Sequence, residues 1–209
     1  MPRPSILLAI LPALVGTPAA AATVLDPTGD FLPSYIFDHD PDLDVTSFSV
    51  DFNEATDTFL LGASLAGAVD LSKEGFYVIG VNTGAGAIDP FGDIGNGNVT
   101  FDQVVVLQKD GSVNLGAATL VGNVFTISVP LSLLPTTGAD PQAYGFNLWP
   151  RYGAELGGND QISDFAPNNA LLTTNGVVPE PATWLTMLLG FGLAGAALRF
   201  RRARKLATA

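Results

Sequence analysis

Short segments in which apolar and polar residues alternate run through the middle of this 209-residue chain and most constrain its fold. Successive side chains of a β-strand point to opposite faces, so the alternation over residues 46–52 and 59–65 predicts two strands with one buried face each. Residues 75–82 and 99–107 are rich in β-branched and aromatic side chains and predict central strands. No segment of this region that is long enough for a helix shows the 3.6-residue period of an amphipathic helix.

Glycine-rich turns separate these segments. The stretch KDGS at residues 109–112 is a strong signal for a type I′ hairpin turn, and Gly122-Asn123 suits a second tight turn. Residues 124–129 and 143–149 predict two later strands. Short strands joined by such turns predict an all-β fold, an antiparallel two-sheet sandwich, over residues 23–168.

The composition excludes several classes of site. The chain has no cysteine and one histidine, His39, which excludes disulfides, thiol catalysis and multi-histidine metal sites. The formal net charge is −11, and of nine basic residues only Lys73, Lys109 and Arg151 lie between residues 23 and 178. Because so acidic a surface repels phosphate backbones, we expect no nucleic-acid binding.

The start of the chain has the features of a secretory signal peptide. Arg3 precedes the apolar stretch 6–15, which is too short to span a bilayer, and Ala20-Ala21-Ala22 satisfies the A-x-A cleavage preference. We therefore expect a signal peptide at residues 1–22 that is cut before Thr23.

Residues 182–198 form an uncharged apolar run near the end of the chain. As a helix, these 17 residues would span about 25 Å, near the lower limit for crossing a membrane. We expect a single C-terminal transmembrane helix here, joined to the body by a linker at residues 169–177. A stop-transfer cluster, which the positive-inside rule assigns to the cytoplasm, follows the run. It consists of Arg199, Arg201, Arg202, Arg204 and Lys205.

The segment VPEPATW precedes and enters this run. With the glycine-containing apolar stretch and the arginine cluster behind it, it resembles the PEP-CTERM sorting signal of Gram-negative bacteria, here at residues 178–206. The resemblance implies that an exosortase, a membrane protease-transpeptidase, recognises Pro179, Glu180 and Pro181 and cleaves near them. The protein would pass through the inner membrane as a C-terminally anchored precursor and reach the cell surface or the exterior. Such a tail is also labelled an "ice-binding protein C-terminal" domain, although nothing in its residues argues for ice binding.

The two prolines support this interpretation physically. Pro179 and Pro181 have restricted φ angles and no amide hydrogen, so the segment stays extended. Extended segments suit a protease cleft, and Glu180 offers a single charge between two rigid rings.

The body resembles the β-sandwich group of DOMON domains and family 9 carbohydrate-binding modules. The resemblance rests on an aspartate-rich stretch at residues 26–44, on FTISVPLSLL at 125–134 and on AYGFNLW at 143–149. The group binds sugars or haem, but haem needs axial methionine or histidine ligands, and the body offers only His39. A sugar would need aromatic platforms. Trp149 and Tyr152 are the candidates, and a core position is the alternative for Trp149.

Residues 38–44, DHDPDLD, place four carboxylates in a short segment. Alternate positions of an extended loop point the same way, which suits the six to eight oxygen ligands of Ca²⁺. The candidate ligands are Asp38, Asp40, Asp42 and Asp44. A solvated acidic loop is the alternative, because the glycine and the distal glutamate of an EF-hand are missing.

No catalytic motif is evident. The chain has no G-x-S-x-G elbow and no phosphate-binding glycine loop, and no pair of carboxylates stands out. We therefore expect a non-enzymatic, exported surface or extracellular-matrix protein, sorted by an exosortase and associated with exopolysaccharide or biofilm, with no cofactor unless the acidic loop binds Ca²⁺. Two alternatives stay open: a secreted carbohydrate-active hydrolase that uses carboxylates, and a Ca²⁺-dependent carbohydrate-binding adhesive module.

Overall fold

The computed structural model describes residues 21–85, 88–154 and 157–178, and this part of the chain is all-β. Its strands are β1 (Ala22–Leu25), β2 (Val45–Asn53), β3 (Thr58–Leu65), β4 (Phe76–Asn82), β5 (Gln103–Gln108), β6 (Ala117–Val121), β7 (Val124–Pro130), β8 (Gly145–Arg151), β9 (Leu171–Thr173) and β10 (Gly176–Val178). Short 3₁₀ turns lie at Pro41–Leu43, Gly92–Ile94, Leu131–Leu133, Pro141–Ala143 and Asn159–Gln161.

The strands form two antiparallel sheets of five strands each. The first sheet has the order β1-β2-β3-β7-β6 and the second the order β10-β9-β8-β4-β5. Apolar side chains from both sheets share one core cluster, so the sheets pack face to face and the predicted sandwich is confirmed. Within the described ranges no helix is long and apolar enough to cross a membrane, and the helix expected at residues 182–198 lies outside them.

The alternation in β3 explains how the core forms. Phe59 and Leu61 point between the sheets and are fully buried, whereas Leu60, on the opposite face, is 49% exposed. The ring centroid of Phe59 lies 4.6 Å from that of Phe52 on β2 and 4.9 Å from that of Phe146 on the other sheet. Aromatic pairs at these separations add to the stability that burial itself supplies.

The second sheet is buried on both faces, which explains the continuous apolar pattern of β4. Loops cover its outer face, where they form a second apolar cluster with the sheet. In this cluster Phe91 and Phe165 from the loops pack against Trp149 of β8. The indole ring of Trp149 lies against Gly80 of β4, where a Cβ atom would stand only 2.5 Å from the ring. A glycine is therefore needed at this position of the strand.

One of the two predicted turns differs in type from the prediction. The two-residue turn at 122–123 is confirmed between β6 and β7. The turn after β5 is not type I′, because Gly111 has a φ of 86° whereas Asp110 has no positive φ. The amide of Gly111 donates to the carbonyl of Gln108 (2.9 Å), and the Gln108 amide donates to the carbonyl of Ser112 (2.8 Å). This pattern fits a type I turn followed by a left-handed bulge residue, and it spares Asp110 an unfavourable conformation.

Residues 169–177, which were expected to be a linker, contain part of a β-hairpin. β9 pairs antiparallel with β10, and Leu172 of β9 pairs with Phe146 of β8. Leu172 is fully buried in the core between the sheets, so burial of this side chain ties the segment to the sandwich. The hairpin also lies beside β1.

Truncation of Phe59 tests this account of the core. Phe59→Ala removes a buried ring and leaves a cavity between the sheets, so we expect the free energy of unfolding to fall by about 3–5 kcal/mol in urea denaturation followed by circular dichroism. Leu60→Ala, on the opposite face of the same strand, is the matched control and should change it by less than about 1 kcal/mol. Equal losses in the two variants would contradict the assigned faces of β3.

Candidate functional site

Two long loops pack against each other at the edge of the sandwich. The first loop, residues 26–44, joins β1 to β2, and the second, residues 152–170, joins β8 to β9. The amide of Leu32 donates to the carbonyl of Ser163 (2.8 Å), and the hydroxyl of Ser163 donates to the carbonyl of Leu43 (2.6 Å). These bonds hold polar side chains of the two loops in fixed positions.

Three aspartates from the two loops converge. One carboxylate oxygen from each of Asp26, Asp30 and Asp164 lies within 4.8 Å of the other two, and we name this group the aspartate cluster. Asp164 is 1% exposed, and its oxygens accept hydrogen bonds from the amides of Val45 (2.9 Å) and Phe165 (2.7 Å). Asp26 and Asp30 are partly exposed and reach Asp164 from the first loop.

Asp44 is a fourth carboxylate beside the cluster. Its side chain is almost completely buried, and its Oδ2 accepts a hydrogen bond of 2.8 Å from the amide of Gly29, the residue before Asp30. Its Oδ1 is buried without a hydrogen-bond partner, as are Oδ2 of Asp26 and Oδ1 of Asp30. Buried carboxylate oxygens without donors are costly, because each has lost its hydration.

No basic side chain of the described residues neutralises the aspartate cluster. The three basic side chains there have other partners: Lys73 pairs with Asp40, Lys109 pairs with Asp42 at 2.7 Å, and Arg151 donates to the carbonyls of residues 157 and 158 at 2.8 and 2.7 Å. The negative charges of the cluster therefore face one another without an opposing charge from these side chains.

Burial and mutual repulsion raise the pKa of three of these carboxyls. For Asp26, loss of hydration is the largest cause and the charge of Asp164 the next, and the pKa rises to about 8. Loss of hydration also raises the pKa of Asp164, against the opposing effect of its hydrogen bond from Val45. The pKa of Asp44 is raised first by burial, and the charge of Asp30 acts in the same direction.

The structure separates the four carboxylates predicted as Ca²⁺ ligands. Asp38 is exposed, Asp40 and Asp42 form the ion pairs with lysines, and Asp44 lies beside the aspartate cluster. The 3₁₀ turn at Pro41–Leu43 interrupts the extended loop on which the prediction depends. Within the described ranges these four therefore do not share one set of ligand atoms.

Sequence reasoning missed the aspartate cluster for an identifiable reason. Asp26 and Asp30 belong to the aspartate-rich stretch that the sequence singles out. Asp164 lies in a different loop, and only the pairing of the strands brings it to Val45. No spacing signal in one sequence connects such distant positions.

Five ring-bearing side chains of the same two loops form a row, and we name it the aromatic row. They are Phe31, Tyr35, Phe37, His39 and Tyr152. Phe31 stacks on His39 with ring centroids 4.3 Å apart, and Phe37 stacks on Tyr152 at the same separation. Phe37 and Tyr152 are both partly exposed, and Tyr152 also packs against the core between the sheets.

Trp149, the other predicted sugar platform, does not reach the surface. It is 2% exposed and packs among Phe91, Phe101 and Phe165. The alternative of a core position is therefore correct for Trp149, because the loops on the outer face of the second sheet cover its ring.

The predicted sorting residues lie outside the described part of the chain. Pro179, Glu180, Pro181 and the stop-transfer cluster at residues 199–205 all follow Val178, the last residue of β10. In the sequence, the Pro-Glu-Pro triplet thus begins directly after a strand of the second sheet.

Comparison with known families identifies the end of the chain. Residues 177–202 match the family model of the PEP-CTERM protein-sorting motif, which confirms the resemblance seen in the sequence. A motif of this kind implies exosortase-dependent sorting of an exported protein, and it indicates a secreted substrate that is anchored through its C-terminus. No curated protein and no solved structure matches the chain. The resemblance of the body to DOMON and family 9 carbohydrate-binding modules stays a prediction.

The raised pKa of Asp26 predicts a pH-dependent stability. An ordinary unfolded aspartate has a pKa of about 3.9. Because the pKa of Asp26 in the folded protein is about 8, the folded state binds the proton more tightly, and raising the pH through this window removes stability. In a buffer with chelator, we expect the melting temperature to fall between pH 5 and pH 8.5, and the fall should be smaller in Asp26→Asn.

Asp38→Asn, at an exposed position of the same loop, is the control and should keep the wild-type dependence. Differential scanning calorimetry of the wild type, Asp26→Asn and Asp38→Asn measures the melting temperature at each pH. If the melting temperature of Asp26→Asn depends on pH as the wild type's does, the pKa of the Asp26 carboxyl is not raised in the folded protein.

Proposed function

We propose that this protein is a non-catalytic surface or extracellular-matrix protein, delivered by an exosortase, whose β-sandwich associates with exopolysaccharide. The PEP-CTERM match at residues 177–202 is the observation that carries the proposal. The motif directs sorting of the exported protein. In this proposal the two loops, residues 26–44 and 152–170, form the surface that contacts the polysaccharide.

The arrangement of the polar groups supports a non-catalytic role. Asp164 is 1% exposed and both of its oxygens are held by backbone amides, so a substrate has no access to it. The ring of His39 is stacked on that of Phe31, so His39 has a packing role in the aromatic row. A glycoside hydrolase needs two carboxyls that flank a substrate bond, and the most closely grouped carboxylates of the described residues include this buried one.

The aromatic row supports association with a polysaccharide. The apolar faces of sugar rings pack against flat aromatic side chains, and Phe37 and Tyr152 present partly exposed rings that support each other at 4.3 Å. Such stacked rings lose little conformational entropy on binding, because they are already held in place. The net charge of −11 opposes contact with an anionic polymer and favours a neutral one.

Replacement of the triplet tests the sorting route. Pro179→Ala, Glu180→Ala and Pro181→Ala together remove the triplet that the exosortase is expected to recognise, so we expect the uncut precursor to accumulate in the inner-membrane fraction of the producing cells. Immunoblots of fractionated cells and mass spectrometry of the mature C-terminus measure the outcome. Thr56→Ala, at an exposed position that is far from the motif in the sequence, is the control and should be processed normally. Normal processing of the triple variant would contradict exosortase recognition of this triplet.

Co-sedimentation with exopolysaccharide from the same cells tests the association. Loss of either exposed ring should weaken binding about tenfold, equivalent to about 1.4 kcal/mol, in Phe37→Ala and Tyr152→Ala. Leu133→Ala removes a 43% exposed apolar side chain elsewhere and should bind like the wild type. Melting curves establish that each variant is folded. If the wild type does not sediment with the polymer, or if both ring variants bind fully, the polysaccharide surface is assigned incorrectly.

A further inference from the structure

We propose that Asp26, Asp30 and Asp164, beside the buried carboxylate of Asp44, form a Ca²⁺ site that ties the two loops of the sandwich together. Its three carboxylates differ from the ligand set that the sequence predicts in residues 38–44. It does not depend on the proposed association with exopolysaccharide.

The spacing of the carboxylates is the first argument. Ca²⁺ binds oxygen atoms at about 2.3–2.6 Å, so two oxygens on one ion lie no more than about 5 Å apart. Ligand oxygens of Asp26, Asp30 and Asp164 all lie within 4.8 Å of one another. The three carboxylates are therefore close enough together to share one ion.

Asp44 supplies an independent argument. It is 3% exposed, and one of its oxygens is fixed by the amide of Gly29, next to Asp30. The other oxygen is buried and accepts no hydrogen bond, and the charge of Asp44 acts on Asp26 and Asp164. A buried carboxylate oxygen without a donor, at the side of an anionic cluster, adds a negative charge that a bound cation would offset.

The charge balance of the body points the same way. Between residues 23 and 178 the sequence has three basic side chains, and Lys73, Lys109 and Arg151 all have other partners in the structure. Neutralisation of the cluster therefore has to come from protons or from a bound cation. A divalent cation offsets the repulsion between the carboxylates and replaces their lost hydration at the same time.

The donor set selects the ion. The converging ligands are carboxylate oxygens, whereas Zn²⁺ prefers histidine and cysteine ligands, and the chain contains no cysteine. Mg²⁺ demands nearly ideal octahedral geometry and retains most of its water, so a crowded set of carboxylates suits it poorly. Ca²⁺ accepts irregular geometry and both monodentate and bidentate carboxylates.

Calcium titration of the exported protein, purified and freed of metal with a chelator, tests the site. We expect isothermal titration calorimetry to give one Ca²⁺ per chain. Saturating Ca²⁺ should raise the melting temperature by about 5 °C or more, because the ion binds the folded state only. Mg²⁺ at the same concentration should give a smaller shift. Absence of both a binding heat and a melting shift with Ca²⁺ would overturn the proposal.

Asp30→Asn is the decisive variant. Asp30 is partly exposed and one of its oxygens has no hydrogen-bond partner, so the substitution removes a repulsive charge without breaking a bond of that oxygen. We expect the metal-free variant to melt at or above the wild-type temperature, and its affinity for Ca²⁺ to fall at least about tenfold, as expected for loss of a charged ligand. This combination separates loss of a ligand from loss of folding.

Asp38→Asn is the matched control. It removes an exposed carboxylate from the same loop, outside the cluster, and should bind Ca²⁺ like the wild type. If Asp38→Asn loses the ion while Asp30→Asn retains it, the ion binds the acidic loop of the sequence prediction, and the aspartate cluster is not the site.

Discussion

The burial of apolar side chains between two sheets is the interaction on which the rest of this structure depends. Phe59 and Phe146 meet across the sheets in the apolar cluster that both sheets share. Two of these loops, residues 26–44 and 152–170, are long, and the hydrogen bonds at Ser163 join them. The aspartate cluster and the aromatic row thus occupy positions that the packing of the sheets determines.

The sequence predicts those features that depend on local pattern. The alternation in β2 and β3 and the continuous apolar run of β4 determine which faces are buried, and the structure agrees with each of them. The β9–β10 hairpin was missed because its strands have only three residues each, too few for a period to be visible. Trp149 could not be assigned from the sequence, since burial of its ring depends on loops that are distant in the chain.

The candidate site illustrates the same limit for charged residues. The concentration of aspartates in residues 26–44 is visible in the sequence, but their partners are not. Lys73 and Lys109 neutralise Asp40 and Asp42, while Asp44 is left beside a cluster completed by Asp164. Long-range pairing of opposite charges therefore decides which carboxylates of one loop become structural ion pairs and which remain without a counter-charge.

The two ends of the described chain are neighbours in space. β1 lies beside the β9–β10 hairpin, and in the sequence the Pro-Glu-Pro triplet directly follows Val178, the last residue of β10. Asp26 follows β1 directly, and Asp164 precedes β9 in the second loop. A cation bound by these carboxylates would link the loop that follows β1 to the loop that precedes β9. Sites of the extracellular class bind Ca²⁺ with dissociation constants of about 10⁻⁴–10⁻³ M, so such a site would be filled after export, where the ion is abundant.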